Sequence, residues 1–443
     1  MQIRPVPTCR IPLRASGAPA ASEPPPPTLE AMASAVLSED NLEALTEWTR
    51  PVEGAVRSAP TLLPDGSVCV GTSAGRVYLF GRDGQPRWDK RLDGEVVGSP
   101  IRMSDGSLLL ATRKGHVHCF DPSTGRERWS QKLSLQRDES ASLGRQFGGG
   151  GVTVNVAYSL QLVGEPLATS DGRALLGTAG GVHVFRPDGR HEVVRGTEAL
   201  GPALTPYGTQ RGDLFVTHEG VGLKRLDAYG RALWTYPGQG KHLSAVTLGP
   251  DGTSYFCAHE APPVLALLPP HVQKQVMSQV STTLIAVDSG GKEVWRKSVR
   301  GGAGHAPVLG SDGKLYLGTG GGMLYAVDPK NGTEIWSQDT GTSISSAPAP
   351  GPDGTVFTPS GDQHLYAYTP EGRIHWRYAR PGWGASTPVP AEKGRMVVGG
   401  EGTVRVLKNQ DLNAALAAGP TVREGANHVT IGGVRVRVNR RTA

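Results

Sequence analysis

Four side chains stand outside any packing pattern and could do chemistry: Trp383, His242, His305 and Glu165. Trp383 lies in Arg380-Pro381-Gly382-Trp383-Gly384. The other three lie in comparable loops ahead of short apolar runs. A large aromatic ring among titratable polar groups is the makeup of a ligand-binding mouth. The alternative is a packed plug that closes a channel, and the residues leave both open. Other chemistries find no motif. The chain has no HExxH, no phosphate loop, no nucleophile elbow and no kinase-like set. Gly148 to Gly151 is glycine-rich but lacks a Lys-Ser/Thr after it, and reads as a loop. Cys9, Cys69, Cys119 and Cys257 form no CxxC and no adjacent pair, so no metal or redox motif follows.

The other seven tryptophans are assigned by spacing. Trp48 to Pro60, Trp88 to Pro100, Trp295 to Pro307, Trp336 to Pro348 and Trp376 to Pro388 are each twelve residues. One interval held five times marks an internal repeat of ~40 residues. The clearest unit runs from Gly304 to Trp336. Its apolar runs at 306–308, 315–317, 323–327 and 333–336 predict four short strands. Ser311-Asp312-Gly313, Gly318-Thr319-Gly320-Gly321 and Asp328 to Gly332 supply the turns. Such a unit cannot bury both faces alone, so it needs neighbours like itself. Trp48, Trp88, Trp129, Trp234, Trp295, Trp336 and Trp376, in fixed register, are then packing residues between units rather than a stacking platform for a ligand.

Stepping along the repeat gives first strands near Pro60, Pro100, Pro166, Pro202, Ala245, Pro307, Pro348 and Pro388. That predicts an all-β propeller of eight four-stranded blades, or seven if one weak unit is not a blade. The unit at Pro166 is degenerate, with Val193 in the tryptophan slot, and the unit at Ala245 lacks its proline. The last unit has three strands and no tryptophan, whereas Trp48 belongs to a fourth strand without its first three. The N-terminal strand is therefore expected to close the ring, which leaves no sheet edge open.

The propeller spans 48–407. Before it come a Pro-rich lead-in (1–28) and a stretch of helical spacing (29–47). After it comes a tail (408–443) with a short helix at 411–418 and a hairpin at 428–438. Two insertions break the period, at 130–165 and 259–282. The first joins a fourth strand to the next first strand, and the second joins a second strand to a third. Those connection types lie at one end of a propeller, where functional loops on a rigid frame are expected. Val264, Leu265, Leu267 and Leu268 in the second insertion add apolar surface outside the blades and are candidate partner contacts.

The 61 glycines and 35 prolines fall mostly at turn positions, which suits a turn-rich β fold. The net charge of +6 resides in the tails, at +2 over 1–28 and +5 over 404–443, so the body is near neutral. That argues against a nucleic-acid groove on the body. No apolar run reaches the ~20 residues of a membrane span. Prolines and arginines interrupt the N-terminus where a signal peptide would be apolar, so a cytoplasmic location is expected, with leaderless export the other route.

The pattern D-x-x-x-G-x-x-x-W, at Asp121 to Trp129 and Asp328 to Trp336, resembles the tryptophan-docking repeat of the pyrroloquinoline-quinone-like propeller superfamily. The resemblance covers about 45–407. That superfamily includes quinoprotein alcohol dehydrogenases and the propeller lipoprotein of the bacterial outer-membrane β-barrel assembly machine, together with other non-enzymatic propellers. For the enzymes it implies a quinone-bound calcium held by Glu and Asn, a general-base Asp and often a Cys-Cys disulfide. This chain has no Cys-Cys, and the calcium set cannot be mapped onto it. The expectation is a bacterial, non-catalytic scaffold that docks a protein partner through the end bearing both insertions, with no cofactor and no metal. The alternative is a quinoprotein-like dehydrogenase or small-ligand binder at the channel mouth, holding pyrroloquinoline quinone with calcium in the enzyme case.

Overall fold

The computed structural model describes residues 46–133, the pairs 136–137 and 158–159, then 167–194, 205–260 and 276–408 with short breaks, and strands at 420–422, 428–431 and 434–437. Turn residues set its architecture. Asp-Gly turns such as Asp312-Gly313 close first-to-second hairpins, with Gly313 at a φ of 78° that side chains disfavour. Eight four-stranded antiparallel blades result, each wound outward from its first strand. Blade 6 is the regular example, with strands Val308–Leu309, Leu315–Gly318, Met323–Val327 and Glu334–Asp339. The degenerate unit at Pro166 is a full blade, blade 3, with strands Leu167–Ala168, Ala174–Thr178, Gly181–Phe185 and His191–Val193.

Burial follows strand order. Second strands such as Val68–Gly71 and Leu108–Thr112 are buried along their whole length, because a neighbouring blade covers each face. Fourth strands are largely exposed, as in Pro86–Arg91. The core is therefore a ring of clusters, one at each seam between blades.

Each of six tryptophans reaches across a seam. Trp48, Trp88, Trp129, Trp234, Trp295 and Trp336 donate their indole N–H to the carbonyls of Arg82, Pro122, Pro187, Ser289, Pro329 and Pro370, at 2.8 to 3.0 Å. All six acceptors lie in the third-to-fourth turn of the next blade. The glycine of that turn lies under the ring. At Gly332, with φ 73°, an added Cβ would come within 2.6 Å of Trp295. The backbone of Trp376 holds the same place on the fourth strand of blade 7, Ile374–Ala379.

Blade 8 joins the chain ends. Strands Val389–Pro390, Arg395–Gly399 and Glu401–Lys408 come from the C-terminal side, and Thr46–Ala55 pairs on their outer edge with Trp48 opposite Val406. Thr46 and Glu47, expected in the helical lead-in, are already in this strand. Arg395 pairs with Glu47 at 2.7 Å and also donates to the Arg82 carbonyl of blade 1 at 2.8 Å, so one guanidinium ties both sides of the closure. Past the propeller, His428–Ile431 and Val434–Arg437 form the hairpin, and Pro420–Val422 adds a third strand. The expected helix at 411–418 and the lead-in up to residue 45 lie outside the described residues. Among the described residues no helix is long and apolar enough to cross a membrane.

Candidate functional site

The two ends of the propeller differ in kind. At the lower end are the Asp-Gly turns and the Asp-x-x-x-Gly turns, whose carboxylates are taken up by their own loops. Asp121, for example, accepts the backbone N–H groups of Ser123 and Thr124 at 3.0 Å. Hydrogen bonds from the Ser123 hydroxyl and from Arg128 hold its carboxyl well below the usual range. At the upper end, the second-to-third turns of blades 1, 2, 6 and 7 hydrogen-bond the connection arriving from the previous blade. Ser73 donates to Ala55, Arg113 to Glu95, Gly320 to Gly302 and Gly361 to Ser343, at 2.7 to 2.9 Å. This belt makes the upper end a rigid platform.

Both insertions leave from that platform. The first departs after Glu127–Lys132 of blade 2 and returns at Leu167–Ala168 of blade 3, with Gln136–Arg137 pairing Tyr158–Ser159 inside it. The second departs after Ser254–His259 of blade 5 and returns at Ser281–Val287. Here the hairpin is taller than its equivalent in blade 6, and its pairing continues to His259 opposite Thr282. Its second strand pairs with a further short strand. The first strand of blade 5 is split, with Thr247–Leu248 pairing Tyr255 and Ser254, and His242–Leu243 pairing His259 and Ala258. Ser244 bridges the gap, because its N–H donates to the Cys257 carbonyl and its hydroxyl accepts the Cys257 N–H.

The root of the second insertion is thus a polar cluster. The His242 and His259 rings stack with centroids 5.7 Å apart and planes 21° apart. His259 is 8% exposed, and its Nδ1 is buried with no hydrogen-bond partner. Burial, and secondarily His242, push its pKa below the usual imidazole value. Lys241 and Glu260 flank the pair, 3.9 Å from each other. On the next strand the buried Thr282 hydroxyl donates to the Gly301 carbonyl at 2.8 Å and accepts the Ala303 N–H at 3.0 Å. Those bonds anchor the connection to blade 6, where His305 is exposed.

Of the residues singled out from sequence, His242 and His305 are both at this end. His242 is in a strand rather than the expected loop, because it pairs with His259 at the top of the second strand. Trp383, Glu165, Val264, Leu265, Leu267 and Leu268 lie outside the described residues. The sequence reading missed His259 as a packed residue and assigned it to the insertion. Its signal was the period of two that runs through Tyr255 and Cys257, both buried, to His259. A calcium-held quinone needs several oxygen donors converging on one point. Among the described residues no group of three or more His, Cys, Asp or Glu could hold a metal ion.

No curated protein sequence matches the chain. Solved structures do match in shape. The designed protein Ika8 is 15% identical with a TM-score of 0.59, over 81% of this chain and 98% of its own. BamB from Moraxella catarrhalis is 14% identical with a TM-score of 0.57, over 82% of this chain and 99% of its own. Sqt1 from Saccharomyces cerevisiae is 12% identical with a TM-score of 0.59, over 82% and 98%. At such identities the likeness is one of fold alone. Membership comes from the repeat: residues 36–142, 113–261, 230–343 and 320–415 each match the model of one family, so this chain, a pyrroloquinoline-quinone-like propeller, belongs to the family described as outer membrane protein assembly factor BamB.

Proposed function

We propose that this propeller is a non-catalytic scaffold that docks a protein partner through its upper end. The observation that carries the reading is positional. A repeat regular through most of its length is interrupted twice, and both interruptions emerge at the same end. A rigid platform bearing irregular loops is how scaffolds present binding residues. Val264, Leu265, Leu267 and Leu268 of the second insertion are the proposed contacts. The family description as an assembly factor supports a protein as the partner.

The test excises 261–279 behind a short glycine linker, which spares His259, Thr282 and the paired strands between them. Native co-purification compares this variant with the full chain, and circular dichroism checks that both are folded. A protein retained by the full chain and lost from the folded variant supports the reading. Identical captures by the two chains would overturn it.

A further inference from the structure

We infer that the His242–His259 stack is a proton-sensitive hinge at the top of blade 5, packed while His259 is neutral and loosened as it takes up a proton. The inference concerns regulation of the proposed docking end, so its consequence for binding rests on that reading. The opening itself does not.

The geometry is that of a hinge. His259 is the last residue but one before 261–275, and its strand pairs there with the short strand His242–Leu243. Its pairings to His242 and Thr282 are the last ladder contacts before the insertion. The ring is buried against a second imidazole, and its Nδ1 faces no hydrogen-bond acceptor. A neutral ring tolerates this site. A charged ring loses hydration and gains neither a carboxylate contact nor an acceptor for its new N–H.

Among the described residues, surrounding groups do not compensate. On the first strand the charged neighbour is Lys241, of the wrong sign, and its contact is Glu260 at 3.9 Å. On the third strand His259 faces Thr282, whose hydroxyl is committed to Gly301 and Ala303. On the fourth strand Arg300 lies near Asp339 of blade 6 at 3.6 Å, and Lys297 near Glu334 at 3.3 Å. Strand Leu214–His218 of blade 4 packs against His242–Leu243 and ends in a further histidine. His305 follows in the connection to blade 6. The sign is fixed by the lowered pKa of His259. The opened form binds the proton more readily, so opening grows as pH falls below about 6.5.

Amide hydrogen exchange on the full chain, at pH 7.5 and 5.5 and corrected for intrinsic rates, tests this without any partner. Peptides covering 254–260 and 281–287 should lose protection at pH 5.5, by up to about tenfold one unit below the free imidazole pKa. Peptides covering 315–327 of blade 6 should not change. His259→Gln keeps a neutral polar side chain and should abolish the difference. If that variant fails to fold, His242→Gln, which removes the second imidazole, should shrink it. Equal protection of the unmodified chain at both pH values overturns the hinge. So does a full pH difference that survives His259→Gln or, where that variant does not fold, His242→Gln. A hinge that opens as expected while co-purification finds no partner would retain the device and remove its proposed use.

Discussion

Blades 5 and 6 are neighbours built from the same repeat, and they diverge only at one end. In blade 6 the second-to-third connection is a tight turn, closed by Gly322 N–H to the Thr319 carbonyl at 3.0 Å, with Gly322 at a φ of 85°. In blade 5 the same position opens into the second insertion. Below it the two blades are alike. Trp295 and Trp336 each cross to the next blade's turn, to an acceptor 34 positions further along the chain. The fourth-strand bulge before the tryptophan recurs too, exposing Val294 in one blade and Ile335 in the other. The core of a blade is therefore independent of what its upper turn carries. Contacts that hold the blade lie lower, at the seams, so the upper turn is free to diverge.

The comparison can be tested by breaking each part. The largest effect should come from the seams. Trp295→Ala and Trp336→Ala should each cost about 3–5 kcal/mol, as large truncations of packed rings. Urea denaturation giving a much smaller value for Trp295 would show that the insertion has weakened blade 5. Next comes the turn glycine beneath Trp295. Gly332→Ala places a Cβ within 2.6 Å of that ring at a φ of 73°, and should cost about 1–3 kcal/mol by the same measurement.

A pH effect follows from blade 3. His183 is 9% exposed, with its Nδ1 2.9 Å from His191 Nε2 and its Nε2 3.0 Å from the Thr178 hydroxyl. Burial, and then the neighbouring His191, lower its pKa to about 4. The unfolded chain takes up the proton first as pH falls, so this contribution is complete above about 6.5 and is lost progressively toward pH 4. Thermal melts should show a fall in Tm across that window that is smaller in His183→Gln.

Smaller still is the expected stability change on excising 261–279, within about 1 kcal/mol, because closing a shorter loop changes little entropy. A loss well beyond that would mean the insertion packs as part of blade 5. Smallest is the partly exposed Lys297–Glu334 pair across the seam of blades 5 and 6, at 3.3 Å. Lys297→Met should change stability by less than about 1 kcal/mol.

Much of the fold was legible because its determinants are local. The Trp-to-Pro interval and the Asp-Gly turns recur in sequence, so blade boundaries could be counted, and the unmatched Trp48 pointed to closure. Blade 3 was harder to read. Val193 occupies its tryptophan slot, and only strand pairing shows that it is a complete blade. The upper end was legible as a place but not as a cluster. His242 and His259 are seventeen positions apart, and nothing short-range says that a split first strand will bring their rings together.

The sequence by itself determined the repeat, the turn chemistry, the closure of the ring and the end from which both insertions emerge. Each depends on residues close in the chain or on a period that can be counted. Tertiary structure alone decided which groups are buried together. It paired Arg395 with Glu47 across the closure, placed six tryptophans over the next blade's glycine, and buried His259 against His242. The physical reason is that burial and pairing arise between strands whose separation along the chain carries no local signal, and they are fixed only when neighbouring blades close on one another.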